Sequence, residues 1–432
     1  MKNKEKRIAM GLFFLSLILI KLPPFYMLPP LKSTVLGSHS FAKILLLVLS
    51  AFFLIKKRVK LNGLNNIFLI LFVFFLTQSL SVLGAKNIVY FWKQYQNVVF
   101  GLTVFFISYF AAGDRKNFSL IDRFIYLVGV FVVLVDLFYM SFSLRLIPYM
   151  KGFLQKEMLD LYLPNLSETR HNLFLNTELF VPVFVWSFME GLKNKKYRHA
   201  FVNFIFIDLI VLTTFASKFR TRFFQLFFAF LISFVFFKIF EKKNIFSKKN
   251  FFISGLITVI LLLTIYLRAD FGLIKRLAMV SDQATVDTAV YRIETLVASF
   301  ELLKKSPLVG VGLGNYRYYI DVSNTIEDPV QKSHYQDTLE DAHSLIGQTA
   351  AETGVIGLLG LLFLVTGFIR RDYILFKKNK SRLLVYAAAS WVLFFYGLAN
   401  PFNTLFLTGW FWFLRGLIEG ESVKDRFSAG AT

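Results

Sequence analysis

Apolar runs of about 17 to 22 residues recur along nearly the whole of this chain, and that is the length needed to cross a hydrocarbon core. In lipid a backbone must satisfy its own N–H and C=O groups, so a chain of this kind is helical wherever it faces the bilayer. Candidate spans fall at about 8–29, 39–55, 64–84, 98–112, 124–144, 174–192, 200–216, 223–240, 251–267, 343–369, 383–399 and 404–419. The expected fold is therefore all-α: one polytopic membrane-embedded domain over 1–432, with about 12 transmembrane helices. A soluble domain could not hide the apolar surface, since 56% of the residues are hydrophobic, 54 are Phe, and only 18% are charged.

The net charge of +22 would point to nucleic acid in a soluble protein. Here the cations cluster in short loops between spans, as in the positive-inside pattern, and no nucleic-acid partner is implied. Basic residues occupy alternate loops: Lys56–Lys60, Arg115–Arg123, Lys193–Arg198, Lys242–Lys249 and Arg370–Arg382. With Lys2, Lys4, Lys6 and Arg7, all fall on one side, so both termini are expected in the cytoplasm. The N-terminal MKNKEKR and the apolar run after it resemble a signal peptide. No small-x-small cleavage site precedes Lys21 and Pro23, so the run reads as an uncleaved first span. With no cysteine, disulfides and thiolate metal sites are excluded.

The opposite, outer side holds two long loops, about 145–172 and 268–342, the larger lying between spans nine and ten. A short outer turn, SKFRTR from Ser217 to Arg222, breaks the charge rule with three cations: Lys218, Arg220 and Arg222. Snorkelling onto lipid phosphate accounts for them as well as an anion site does.

In the large loop, Tyr291–Lys305 has the spacing of an amphipathic helix, with Ile293, Leu296, Val297, Phe300 and Leu303 as its apolar stripe. Arg292, Thr295 and Ser299 fall on another face, and Ser306-Pro307 ends the helix. LVGVGLGNY follows, with Gly310, Gly312 and Gly314 at alternating positions. Such glycines let backbone amides approach an anion, but a tight turn without ligand explains them too. His343 stands at the mouth of the tenth span, beside the only long polar loop. It reads either as an interfacial histidine bonded to a neighbouring helix or as a titratable group for chemistry at the membrane surface. Nine residues on, at about 100° per residue, Glu352 faces the opposite side of the helix from His343, about 13 Å deeper, and serves packing or pairs with a cation.

The block from Arg292 through SPLVGVGLGNY to AHSLIGQTAAETGVIGLLGLLFL resembles the O-antigen ligase and O-antigen polymerase family of envelope glycosyltransferases. A weaker likeness covers TRHNLFLNTELFVP, with Arg170 and Asn176 where the family tends to carry Arg and Asn. At LTTFASKFRTRFF the family commonly has Ser-Arg; here Ser217 is followed by Lys218, with Arg220 and Arg222 close behind. The resemblance implies a glycosyltransferase-C-like fold in the bacterial inner membrane. It also implies transfer of a glycan from undecaprenyl pyrophosphate to an acceptor sugar at the outer face, lipid A–core in ligases.

That reaction needs positive charge on the departing pyrophosphate and, for inversion, a base on the attacking hydroxyl. Arg292, Arg170, Lys218, Arg220 and Arg222 are the pyrophosphate-binding candidates, with guanidinium forks suited to it. His343 is the candidate base. The first outer loop, about 30–38, carries no acid, so no metal and no cofactor are expected and fixed cations take the electrostatic role. A polymerase joining two lipid-linked units is the near alternative. A transporter of lipid-linked sugars is the distant one, prompted by Asp136, Glu178, Glu190 and Asp208 in or near spans.

Overall fold

A computed structural model describes residues 10–17, 45, 48, 66–112, 115–143, 177–216, 220–240, 283–319, 342–378, 380–398 and 405–429. Every regular element among them is helical: α1 Asn66–Leu80, α2 Ile88–Ala112, α3 Arg115–Ser143, α4 Val181–Lys193, α5 Tyr197–Ala216, α6 Arg220–Phe240, α7 Gln283–Lys305, α8 Leu345–Lys377, α9 Ser381–Leu398 and α10 Leu405–Ala429. Among the described residues six stretches are long and apolar enough to cross a membrane: Asn66–Gly84, Ile88–Ala112, Phe118–Leu137, Tyr197–Phe215, Leu345–Lys377 and Ser381–Leu398. Each overlaps an expected span. The expected span 251–267, most of 39–55 and the loops 145–172 and 320–341 lie outside the described residues.

The chain divides into two compact units. The first takes its described residues from Met1–Leu49, Ala111–Ala278 and Ser381–Leu393. Its centre is the antiparallel pair α4–α5, which approaches closely because Gly191 faces Ala200: a β-carbon at Gly191 would lie 2.9 Å from the Ala200 nitrogen. The turn between them closes through Lys196 N–H donating to Gly191 O at 2.8 Å, with Lys195 left-handed at φ 57°. Helix α4 starts later than expected, at Val181, after a 3-10 turn Thr177–Phe180; Pro182 favours a helix start because its missing N–H needs no partner there.

One end of this unit is tied by ion pairs between the basic loops. Arg382 grips Asp122 with two bonds of 2.7 Å, Tyr386 joins the same carboxylate, and Arg382 Nη1 stands 3.8 Å from Glu190 Oε2. Three loops that the charge pattern assigns to one side thus meet at one end of one unit.

The second unit takes its described residues from Ser50–Phe110, Met279–Lys380 and Phe394–Thr432. Helices α1 and α2 form a hairpin through Ser81–Asn87. Helix α8 lies along α1, with Gly360 against Thr77 and Gly367 against Ile70. Helix α10 packs on α2, with Gly101 under Trp412 and Gly416 under Phe105. At the basic end of α8, Arg415 holds Asp372 at 2.8 and 2.9 Å, and Arg371 holds Glu419 at 2.5 Å. Buried charges on spanning helices are costly unless paired, and these are paired.

Helix α8 is two helices, broken at Gly354 (φ 64°, ψ −163°). The break removes the two bonds that Ala351 and Glu352 carbonyls would make to the amides of Val355 and Ile356. The loop after α7 replaces them. Val355 N–H donates to Pro307 O (2.8 Å) and Ile356 N–H to Leu308 O (3.1 Å), while Val311 and Gly312 donate to Ala351 O and Glu352 O, both at 2.9 Å. Irregular backbone near membrane depth is tolerated where protein covers it, and this loop supplies the cover.

Candidate functional site

The loop that mends α8 is the glycine-rich segment. Gly310, Gly312 and Gly314 are all left-handed, at φ 68°, 90° and 71°, where side chains are strained. A β-carbon at Gly312 would lie 2.6 Å from Ala85 Cα, and one at Gly314 would lie 2.6 Å from Tyr90 O. The glycines are thus required by close backbone packing. The amides of Gly310, Val311 and Gly312 donate to Ser306 O, Ala351 O and Glu352 O. Those donors serve the fold, which favours the tight-turn alternative over the anion-binding one.

The next residues fasten the loop to the α1–α2 hairpin. Asn87 N–H donates to Asn315 Oδ1 at 2.8 Å, and Asn315 Nδ2 returns a bond to Asn87 O at 3.2 Å. Asn87 also caps α2 through the amides of Val89 and Tyr90. Arg317 stacks on the Tyr90 ring at 3.9 Å and donates to its hydroxyl. Nothing in the sequence pattern singles out Arg317 or Tyr90, because the partners are more than two hundred residues apart.

Helix α7 turns its polar positions inward and its apolar stripe outward. Tyr291, Thr295, Ser299 and Leu302 are buried; Ile293, Leu296, Val297 and Phe300 are exposed. The inward face lies against polar backbone. Tyr316 Oη donates to Thr295 O at 2.6 Å, and Ser299 Oγ to Thr295 O at 2.7 Å. Thr295 Oγ1 lies 3.5 Å from Ala342 O. Gly347 on α8 leaves room for Ser299 and Leu296.

His343 lies just before α8 rather than in it. Ser344 is the cap, accepting from Gly347 N–H at 3.2 Å. On the other side Ala342 N–H donates to Gln348 Oε1 at 2.5 Å. Clamped on both sides, His343 adopts a left-handed conformation (φ 45°) uncommon for a residue with a side chain, although histidine tolerates it better than most. Its half-buried ring meets the buried Tyr291 edge-on, centroids 5.3 Å apart. Tyr291 directly precedes the exposed Arg292. The fold thus brings His343 and the Arg292 turn together across about fifty residues of sequence. Glu352 is buried just before the break, its carboxylate 3.4 Å from the Tyr316 amide.

In the first unit, Arg222 is the centre of a buried ionic cluster. Its Nε donates to Glu178 Oε1 (2.6 Å), and its Nη2 to Asp136 Oδ2 (2.8 Å) and Thr177 Oγ1 (3.0 Å). Thr214 also donates to Glu178 Oε1, at 2.8 Å. Arg222 is 1% exposed and both acids 0%. This guanidinium is paired with two buried carboxylates, which favours an internal counter-ion over a pyrophosphate ligand. The same contacts account for Asp136 and Glu178, two of the four acids behind the transporter alternative. Arg170 and Lys218 lie outside the described residues; Arg220 opens α6, its side chain not among those described.

No curated protein matches the chain. Residues 204–362, from α5 through the cationic turn, α7, the glycine loop, His343 and the broken α8, match the family model described as O-Antigen ligase. Over that stretch the chain is similar to the O-antigen ligase/polymerase family.

Proposed function

We propose that this protein is an O-antigen ligase-like glycosyltransferase. In this reading it moves a glycan from undecaprenyl pyrophosphate to an acceptor sugar, lipid A–core, at the outer face of the inner membrane, with inversion. The observation that carries the reading is the family match over residues 204–362, which contains both His343 and Arg292. The juxtaposition of those two through Tyr291 supports it. His343 accepts the proton of the attacking hydroxyl. Arg292 neutralises the pyrophosphate as the glycosidic bond to it breaks; Arg170, Lys218 and Arg220 are further candidates for that contact. The fold is of the glycosyltransferase-C-like kind, with about twelve spans and the 268–342 loop roofing the site.

The test is purified protein with lipid-linked glycan and lipid A–core acceptor, with and without chelator. Glycan should appear on the acceptor in both. Product in which glycan has grown on its own lipid carrier would make the protein a polymerase, and loss of activity with chelator would end the metal-free mechanism. Arg292→Ala should lower donor use about 10- to 100-fold, the value of a charge-assisted bond. Arg292→Lys should recover little of it if the contact is bidentate. Wild-type turnover in Arg292→Ala protein would remove Arg292 from the site.

The proposed orientation places both termini in the cytoplasm. The chain has no cysteine of its own, so single cysteines at Asn324 and Asn379 report topology directly. Only Asn324→Cys should react with an impermeant reagent added outside. Equal labelling would overturn the orientation and the place of His343 with it.

A further inference from the structure

We propose that α7 lies in the headgroup region of the bilayer, with Ile293, Leu296, Val297 and Phe300 set against the acyl chains of bulk phospholipid. The face is apolar and exposed: Ile293 63%, Val297 55% and Phe300 47%. These residues recur at helical spacing on the side of α7 opposite the buried Tyr291, Thr295 and Ser299. Lys304 falls one turn beyond Phe300 on the same line and is exposed, although it pairs with Glu301. An apolar face ending in a lysine whose stem can reach back to the headgroups is the pattern of an interfacial helix.

The depth of α7 follows from α8. The charged residues Arg370, Arg371 and Asp372 mark one boundary of the hydrocarbon. A core of about 30 Å takes about 20 residues of helix, which reaches the neighbourhood of Ala350. Gly347 is one turn further along α8, and its missing side chain is filled by Leu296 and Ser299 of α7. Helix α7 therefore sits at headgroup level whichever side of the membrane it is on. On α8 itself Val355, Leu359, Leu362 and Phe363 are exposed apolar residues of the same kind, so the lipid that meets them also reaches the level of α7.

This placement gives Arg292 and His343 a physical setting. A helix anchored by its apolar face holds the residues beside Tyr291 at the depth where a lipid-borne phosphate sits. The inference does not depend on the enzymatic reading, and its test needs no activity. A fluorophore on Val297→Cys, in protein reconstituted into phosphatidylglycerol–phosphatidylethanolamine bilayers, should be strongly quenched by lipids brominated near the headgroup and little quenched by aqueous iodide. Leu359→Cys, on a spanning helix, should respond to lipids brominated deeper in the chain. Lys305→Cys should respond mainly to iodide. A Val297 label open to iodide and blind to brominated lipid would overturn the proposal. A label shielded from both quenchers would overturn it too, since protein would then cover the face.

Discussion

His343→Ala protein should enter the membrane and bind lipid-linked donor as the wild type does, yet transfer the glycan about 10² to 10⁴ times more slowly, the usual contribution of a general base. The surroundings of the residue make this a clean substitution. Its backbone is fixed by neighbours: Ala342 by Gln348, and Ser344 by its cap on Gly347. Alanine removes the ring without removing those bonds, and the left-handed backbone (φ 45°) costs alanine only a modest strain. The imidazole takes with it its edge-on packing against the Tyr291 ring. A structural role for His343 predicts lower stability with kcat nearly intact. A transport role predicts lost movement of substrate with bond formation untouched. Purified protein under single-turnover conditions, with donor binding measured separately, distinguishes the three. Unchanged turnover would remove His343 as the base.

The boundary between what the sequence tells and what it withholds runs along physical lines. Apolar length picks out helices long enough to span, because that pattern acts through the solvent and needs no knowledge of partners. The same dependence on solvent leaves the inward face of α7 undecided. Amphipathicity assigns apolar residues to the protein interior when water is the alternative, but beside a bilayer the apolar face can be the outward one. The inward residues Thr295 and Ser299 look polar because their partners are the carbonyls of Arg292 and Thr295 and the Tyr316 hydroxyl. The break in α8 is hidden because one glycine in an apolar run usually signals close helix packing, as Gly360 and Gly367 do. Only the pairing with Pro307–Gly312 shows Gly354 to be a backbone junction. The motif around His343 is legible as a unit, whereas its partner Tyr291 is not, since no local spacing links residues 291 and 343.

Arg222→Ala should destabilise the protein by about 3–5 kcal/mol, because it leaves two buried carboxylates without their counter-ion. Asp136 sits on α3, Glu178 in the turn before α4, Thr214 on α5 and Arg222 on α6, so the loss would loosen four segments at once. Loss of activity in this variant alone would not tell an internal counter-ion from a pyrophosphate ligand. The informative protein is the triple variant Arg222→Met with Asp136→Asn and Glu178→Gln, which removes all three charges at nearly constant volume. Replacing a buried ion cluster as a whole is often neutral for stability, whereas breaking it is not. The triple variant should therefore recover most of the thermal stability that Arg222→Ala loses, and should still take up lipid-linked donor. If it is as stable as the wild type but no longer binds donor, Arg222 contacts the pyrophosphate after all, and the ion pairs with Asp136 and Glu178 must open for substrate. If it is as unstable as Arg222→Ala, the cluster contributes more through its hydrogen bonds to Thr177 and Thr214 than through its charges.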